Sequence, residues 1–473
     1  MFFLLLVLIG GTGAAPPTHQ VSTGPRLETL DAAQVSSRAD TWLTTYEKAG
    51  DFSGVVLLAQ GDKVLFEKAY GYADPQVRSP NQPETRFRVA SLSKTLTAAA
   101  IEQLVAQGKL RYSDVLSRYV TAIPNGDSIT VEQLLTHESG IGVLDSEDVY
   151  RECIPHDDLL RRLTAVRPLF APGKAQAYSN EGYFLLKAIV ERVSGVSYQE
   201  FLRQNIFAPL QMENSGVACR DLPEGRNAFG SVATASEARL RPLAYNEAAL
   251  DGAGSVYSNA DDMLRWLRAV DRNPAFSVAK LPYPYGWGKR KYSAHDLMEQ
   301  SGQLEGFIAH VAIYPKDHIY AIVLGNIQSG FSQRIAQDLE AVLFGGRASS
   351  PPAVTPIVLG ERSMRQYVGI YHSKEIAYPQ TLAIRDGQLA MHWGKDPFWR
   401  EMVMTDGDTF FLRAEYAQVH FERGADGAVH RMVWTWPGGA HLAFDKDQIL
   451  DRQVSRQLTP GVTICFASFG GHH

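Results

Sequence analysis

Cysteine is scarce in this 473-residue sequence, which contains three, Cys153, Cys219 and Cys465. Three cysteines are too few for a disulfide-stapled scaffold, and none lies in the C-x-x-C pair typical of zinc ribbons and thioredoxin-type redox centres. The metalloprotease pattern H-E-x-x-H is also missing. We therefore predict neither a metal nor a cofactor. Cys153 and Cys219 either form a disulfide or stay as buried free thiols, and the sequence leaves both alternatives open.

An excess of positive charge is also absent, since 46 Lys and Arg face 51 Asp and Glu, a net charge of −5. Proteins that bind nucleic acids or anionic membranes carry clustered positive charge, so neither partner is expected. With 45% hydrophobic and 21% charged residues, the chain has the composition of a globular protein rather than a disordered one. Its length suits two or three domains.

Long hydrophobic runs are missing apart from the first nine residues, which are apolar and are followed by small residues at 13–15. This run is too short to cross a bilayer, and the pattern predicts a signal peptide over residues 1–15. The alternatives are a lipid-facing anchor or a misassigned start. We expect an exported protein, periplasmic or secreted, without a membrane span once the signal is removed. The sequence does not indicate its oligomeric state.

The main body of the chain mixes strand and helix patterns between residues 39 and 345, after a polar linker at 16–38. Short β-like runs at 54–59 and 63–66 predict one hairpin, and runs at 311–314 and 320–324 predict another. Helical patterns cover 95–105 and 177–193. Because strands lie at both ends with helices between them, we predict an α+β fold, with one antiparallel sheet assembled from the two ends of this region.

The composition changes at a second linker, residues 346–364, which begins with glycine, serine and proline. Asp-Gly turn dipeptides at 386, 406 and 426 then separate β-like runs, so residues 365–446 are predicted to form a small up-and-down antiparallel β-barrel, followed by a tail at 447–473. Four of the seven tryptophans lie in this segment. They pack in its core or line a ligand-binding mouth, and core packing is the interpretation we favour.

Ser91 and Lys94 form an S-x-x-K pattern at the start of a predicted helix that continues with small and apolar residues. The spacing puts both side chains on one face of the helix, one turn apart. A serine in the first turn lies near unpaired N–H groups, and a poorly hydrated lysine can accept a proton. This chemistry suits a nucleophile and its base. The alternative is that Ser91 caps the helix and Lys94 is solvated.

Two further segments complete the candidate site. Tyr178 and Asn180 form a Y-x-N pattern, in which a phenol held as phenolate by a nearby ammonium could transfer protons and an amide could orient a substrate. Residues Gln300, Ser301, Gly302 and Gln303 open a predicted strand, where a glycine lets a ligand approach the strand edge. Each pattern alone is also compatible with an ordinary tyrosine at a rim or a loop at a strand end.

Together, in this order, the three segments resemble the serine β-lactamase and penicillin-binding-protein superfamily, on its class C β-lactamase and esterase branch. The resemblance covers residues 41–345 and extends to further segments, which are 131–140, 178–207, 252–262 and 322–326. It implies an antiparallel sheet flanked by helices plus an all-helical subdomain. The C-terminal barrel resembles the lipocalin-like domain of some members.

The resemblance also implies roles for individual residues. Ser91 matches the acylated nucleophile, Lys94 its base partner, Tyr178 the second proton-transfer group and Asn180 the substrate-orienting amide. The backbone N–H groups of Ser91 and Gln303 match the oxyanion hole.

The third segment departs from the family pattern, because Gln300 stands where β-lactamases have lysine and many esterase-like relatives have histidine. A neutral amide does not attract a substrate carboxylate. We therefore expect a serine hydrolase that cleaves esters or amides of a small-molecule or peptide substrate, with a β-lactamase or D-amino-acid-directed peptidase as the alternative. A third possibility is a catalytically silent receptor.

Overall fold

The structure is a computed structural model, and it describes residues 31–144, 154–218, 222–233, 239–240, 251–273, 276, 285–292, 295–376, 379–393, 399–436 and 439–447. The predicted signal peptide, the tail beyond residue 447 and all three cysteines lie outside the described residues. The chain divides into two compact units, and the boundary along the sequence lies between Ala353 and Val354. None of the described helices is long and apolar enough to span a bilayer.

The helices within the described ranges are α1 (Ala32–Lys48), α2 (Ser93–Ala106), α3 (Val131–Leu135), α4 (His156–Thr164), α5 (Asn180–Ser194), α6 (Tyr198–Leu202), α7 (Ala260–Arg272), α8 (Ile335–Phe344) and α9 (Glu361–Met364). The strands of the first unit are β1 (Gly54–Gln60), β2 (Lys63–Tyr70), β3 (Tyr72–Asp74), β4 (Ser79–Pro80), β5 (Phe87–Arg88), β6 (Gly216–Val217), β7 (Ser231–Ala233), β8 (Arg239–Leu240), β9 (Val256–Ser258), β10 (Gly288–Tyr292), β11 (His295–Leu304), β12 (Phe307–Tyr314), β13 (Ile319–Gly325) and β14 (Ile327–Gln328).

The central sheet of the first unit is antiparallel, with strand order β10-β11-β12-β13-β1-β2. Both predicted hairpins are confirmed, as β1 pairs with β2 and β12 with β13. The pairing of β1 with β13 joins the two ends of the region, as predicted. Helix α1 packs against β2 and helix α8 against β12, and α7 packs against β13 and β1. The helical part between the sheet strands centres on the contact of α2 with α5.

The predicted linker over residues 16–38 is wrong for its last part, because α1 begins at Ala32. Asp31 forms a capping box with Gln34, and Val35, Ala39 and Trp42 are buried on one face. Spaced three or four residues apart, these apolar side chains lie among polar residues, so the segment resembles a polar linker in composition while its helical period is complete.

The second unit contains a closed antiparallel barrel, as predicted. Its strands follow one another in sequence order, and they are β15 (Gly369–His372), β16 (Gln380–Arg385), β17 (Gln388–Trp393), β18 (Arg400–Asp406), β19 (Thr409–Leu412), β20 (Ala417–Arg423), β21 (Val429–Thr435) and β22 (His441–Lys446). Asp386 and Gly387 have φ angles of 48° and 77°, the left-handed values of a tight hairpin turn. Trp393 and Trp434 are buried and their rings lie 5.2 Å apart, which supports core packing.

The segment predicted as the second linker, 346–364, contains two structured parts. Ile357 forms an isolated bridge with Met404 on β18, and α9 begins at Glu361. Ordered contacts in the second unit therefore begin before the predicted barrel boundary at residue 365.

Candidate active site

Ser91 lies in a short 3-10 turn, Ala90–Leu92, that leads directly into α2 at Ser93. The residue before it, Ala90, has a φ of 51°, a left-handed conformation that is uncommon for alanine. Backbone strain of this kind concentrates at functional sites. The predicted position of Ser91 at the start of a buried helix is confirmed, with the nucleophile candidate two residues before the first residue of the regular helix.

Lys94 is fully buried in the first turn of α2, and its amine contacts three oxygen atoms. Its Nζ lies 3.2 Å from Ser91 Oγ, 2.8 Å from Asn180 Oδ1 and 2.9 Å from the carbonyl oxygen of Ala253. Burial lowers the pKa of Lys94 to about 7, against a smaller opposing effect of the Glu181 carboxylate. A neutral amine has two N–H bonds and one lone pair. The two bonds can point to Asn180 and Ala253, which leaves the lone pair facing the Ser91 hydroxyl.

Tyr178 closes the cluster from the other side of Ser91. Its hydroxyl oxygen lies 2.6 Å from Ser91 Oγ, and Lys94 Nζ lies 4.7 Å from the centre of its ring. Burial raises the pKa of Tyr178 well above its ordinary value, so the resting phenol is protonated. The expectation that an ammonium would hold it as phenolate is therefore wrong. The same burial that would make the phenolate costly also removes much of the charge from Lys94.

Asn180 begins α5, and the residues around it are fixed by a network of buried hydrogen bonds. Ser179 caps the helix by accepting from the Gly182 N–H at 2.9 Å. The Ser179 hydroxyl also lies 3.3 Å from Glu181 Oε2, while Glu181 Oε1 accepts from the Leu144 N–H at 3.0 Å. The cap holds the first turn of α5 so that Asn180 Oδ1 reaches Lys94.

His137 is a neighbour of the site that no sequence pattern assigned to it. Its ring centre lies 4.8 Å from that of Tyr178 and 5.2 Å from that of Tyr183, and its Nδ1 accepts from the Ser179 N–H at 3.1 Å. Burial lowers the pKa of His137 to about 3, so the imidazole is neutral. Its contact with Tyr178 is thus one of packing between two uncharged rings. The sequence signal that could have identified His137 is its place in the family-like segment 131–140. Glu181 adjoins Asn180 in the sequence, but no pattern assigned it a role either.

Gly302 on β11 brings this strand against the turn that carries Ser91. A Cβ atom added at Gly302 would lie 2.4 Å from the carbonyl oxygen of Val89 and 2.9 Å from the Ser91 nitrogen. The close approach requires glycine and places the backbone of Gln303 next to Ser91. The two N–H groups predicted to form an oxyanion hole, those of Ser91 and Gln303, thus come from adjacent segments of the structure.

Gln300 and Ser301 make hydrogen bonds within the protein. Gln300 Nε2 donates to the carbonyl oxygen of Gly286 at 2.7 Å, and its Oε1 accepts from the Ser301 N–H at 2.9 Å. Ser301 Oγ lies 2.8 Å from Nδ1 of the buried His310 on β12. Since side chains alternate along a strand, Ser301 points to the face opposite the one on which Gly302 meets Ser91. Within the described residues, no group of His, Cys, Asp or Glu is placed to hold a metal ion.

An antiparallel sheet with a helical region and a Ser–Lys–Tyr cluster between them defines the fold class of serine β-lactamases and penicillin-binding proteins. A protein-family model described as beta-lactamase matches residues 39–343. Because this match covers more than half of the sequence, the chain belongs to the beta-lactamase family.

Individual relatives agree with this assignment. A penicillin-binding protein of Bacillus subtilis (strain 168) is 28% identical over 434 residues, which cover 81% of this chain and 94% of the relative. Esterase EstB of Burkholderia gladioli is 30% identical over 300 residues, which cover 54% of this chain and 75% of the relative.

Solved structures share the fold. A penicillin binding protein from Bacillus halodurans, 28% identical, matches with a TM-score of 0.56 over 63% of this chain and 98% of that chain. The octameric penicillin-binding protein homologue from Pyrococcus abyssi covers 88% of this chain and 100% of its own, with a TM-score of 0.59. At 19% identity, the second likeness speaks for the fold alone.

Proposed function

We propose that this protein is a serine hydrolase that cleaves esters or amides through a covalent acyl-enzyme on Ser91. The observation that carries the proposal is the hydrogen-bonded cluster of Ser91, Lys94, Tyr178 and Asn180, in which the buried amine has a pKa of about 7. A base with a pKa near the working pH combines sufficient neutral form with sufficient driving force for proton transfer.

In the proposed acylation step, Ser91 Oγ forms a bond to the substrate carbonyl carbon and its proton passes to Lys94 Nζ. The negative charge on the carbonyl oxygen is stabilised by the N–H groups of Ser91 and Gln303. Tyr178 donates its proton to the leaving group as the bond to that group breaks, and the Lys94 ammonium then returns a proton to Tyr178. Water attacks the acyl-enzyme with the same groups acting in reverse, which releases the acid.

Substrates without a carboxylate near the scissile bond suit this site best, because Gln300 offers no positive charge and both ends of its amide are bonded to main-chain groups. We therefore rank esters first, D-alanyl anilides second and cephalosporins third. The esterase relative from Burkholderia gladioli supports this order. A panel of p-nitrophenyl esters, D-alanyl anilides and a chromogenic cephalosporin tests it, and a cephalosporin kcat/KM well above the others would reverse it.

Replacing Ser91 with alanine tests the nucleophile directly. Ser91→Ala should abolish ester turnover and covalent labelling by a fluorophosphonate probe, while Ser79→Ala, at an exposed serine on β4, should leave both unchanged. Labelling that persists in Ser91→Ala would place the nucleophile elsewhere. Stable acylation of the wild-type protein without turnover would instead support the silent receptor.

Export is a separate part of the proposal and depends on the apolar segment at residues 1–15. Sequencing the N-terminus of the protein recovered outside the cytoplasm should give a start near residue 16. A protein that stays in the cytoplasm with residues 1–15 intact would contradict export without affecting the proposed chemistry.

A further inference from the structure

The pairing of β11 with β10 along its outer edge ends at Glu299. Strand β10 pairs with β11 from Gly288 opposite Glu299 to Tyr292 opposite His295. No described strand pairs with residues 300–304 on this side, while β12 covers their other side. Two residues before β10, a Cβ atom at Gly286 would lie 2.9 Å from the carbonyl oxygen of Lys94. The chain therefore lies near α2 before it joins β11, and the edge beside the candidate oxyanion hole is left without a strand partner among the described residues.

The direction of the N–H groups along this edge follows from one hydrogen bond. The Ser301 N–H donates to Gln300 Oε1 rather than across the ladder to β12. In an antiparallel pair, alternate residues direct their N–H and C=O groups to the same side. The N–H of Gln303 therefore faces the same outer edge as that of Ser301. Of these two edge donors, the Ser301 N–H is bonded to Gln300, while no described residue on the outer edge bonds to the Gln303 N–H.

The Gln300 carboxamide takes the place that a peptide group of a neighbouring strand would have. It accepts from the Ser301 N–H with one end and donates to the Gly286 carbonyl with the other. Reversing the amide would set oxygen against the Gly286 oxygen and NH2 against the Ser301 N–H, so only the observed orientation satisfies both bonds. The side chain thus bridges the gap where β10 and β11 separate.

Consider a substrate that adds to this edge as an antiparallel strand, with its scissile carbonyl bonded to the Gln303 N–H. Because the two strands run in opposite directions, the leaving-group side of the substrate then lies next to Ser301. The carbonyl of the second residue beyond the scissile bond would then need the Ser301 N–H, which Gln300 occupies. We propose that Gln300 is a specificity-determining residue that closes this edge and restricts the enzyme to acyl esters or amides with small leaving groups. This inference rests on the hydrolase function proposed above.

Two acetyl thioesters test the proposal, since they share the acyl group and differ only in the leaving group. One releases ethanethiol, and the other releases mercaptoacetyl-glycinamide, whose glycine carbonyl is placed to reach Ser301. Thiol release with a chromogenic disulfide gives kcat/KM for each. The variants are Gln300→Ala and the longer Gln300→Met, which keeps apolar bulk if alanine prevents folding. The matched control is Gln60→Ala, which removes a carboxamide bonded to the Asp317 carbonyl at the other end of the sheet.

Both Gln300 variants free the Ser301 N–H for the substrate. Relative to wild type, each should raise the ratio of two kcat/KM values, that for the peptide-like thioester divided by that for the ethyl thioester, about fivefold. Gln60→Ala should keep the wild-type ratio. An unchanged ratio in folded Gln300 variants, with both thioesters still hydrolysed, would overturn the role of Gln300 and leave the hydrolase intact. Wild-type protein that hydrolyses neither thioester, or Ser91→Ala protein that still hydrolyses them, would overturn the proposed function itself.

Discussion

At the scale of single residues, the proposed chemistry depends on the charge state of Lys94. The amine is buried against neutral oxygen atoms, and the charge of Glu181 only partly offsets the cost of burying the ammonium. A pKa near neutral suits Lys94 to the proposed role of base, and the burial that raises the pKa of Tyr178 suits that phenol to the proposed role of acid. Burial thus separates the two proposed roles, because it disfavours the charged form of each group and so lowers the pKa of the amine while it raises the pKa of the phenol.

The rate should therefore rise with pH through the pKa of Lys94. Below about pH 7 the amine is protonated and cannot accept the Ser91 proton; above it, the amine is neutral. We expect kcat/KM for a p-nitrophenyl ester to fall about tenfold per pH unit well below pH 7 and to reach a plateau above pH 8. A profile measured from pH 5 to 9 at constant ionic strength records this rise, which is the acidic limb of the pH–rate profile.

Two neighbours serve as controls for that assignment. His137 has a pKa of about 3 and stays neutral over the whole range, so it contributes no limb near pH 7. Glu181 raises the pKa of Lys94, so Glu181→Gln should move the limb to lower pH while keeping its shape. If the limb disappears in Glu181→Gln, the titrating group is the carboxyl rather than Lys94.

Much of the site could be predicted at this scale because its chemistry follows short spacings. Ser91 with Lys94, and Tyr178 with Asn180, are local patterns, and the structure brings the two pairs together. The ionisation of Tyr178 could not be predicted, because it depends on burial, which no local spacing reveals. His137 escaped for a similar reason: it acts by packing and by a bond to the Ser179 N–H, 42 residues away in sequence.

At the scale of elements, the contact between β11 and the Ser91 turn fixes the candidate oxyanion hole. Gly302→Ala should push β11 away, because its Cβ would lie 2.4 Å from the Val89 oxygen. We expect kcat/KM to fall about a hundredfold or more and the free energy of unfolding to fall by about 1–3 kcal/mol. Ester kinetics and denaturant unfolding measure the two effects.

Gly288→Ala is the matched control for that substitution. Gly288 lies on the adjacent strand β10, and a Cβ atom there would approach no closer than 3.5 Å to the Glu299 carbonyl oxygen. It should leave ester hydrolysis and stability close to wild type. Activity retained in Gly302→Ala would show that Gln303 does not need this close approach to act with Ser91.

The elements themselves were predicted best where the signal is local. Hairpins such as β12–β13 combine short apolar runs with a polar turn, and the Asp-Gly dipeptides indicated the barrel turns. The first part of α1, residues 32–38, falls within the predicted linker because the burial of this helix comes from distant partners; Trp42, for example, bonds to Asp338 on α8. Similarly, the bridge from Ile357 to Met404 joins residues far apart in sequence.

At the scale of the whole molecule, each of the two units forms its sheet from strands of its own segment of the chain. The sheet of the first unit joins the two ends of its own region through the pairing of β1 with β13. The barrel closes through the pairing of β15 with β22, so it leaves no open edge to be covered. Each unit therefore satisfies its own strand pairing.

This completeness predicts the effect of removing the barrel. All eight candidate site residues, and the hydrogen-bond partners described for them, precede Ala353, so a chain ending there should keep kcat/KM for a p-nitrophenyl ester within about threefold. Circular dichroism and thermal melting establish that the shortened chain is folded before its activity is compared. A folded shortened chain that has lost ester hydrolysis, but is still labelled at Ser91 by a fluorophosphonate, would show that the barrel contributes to substrate binding or deacylation. That result would give the second unit a catalytic role that its closed strand pairing does not require.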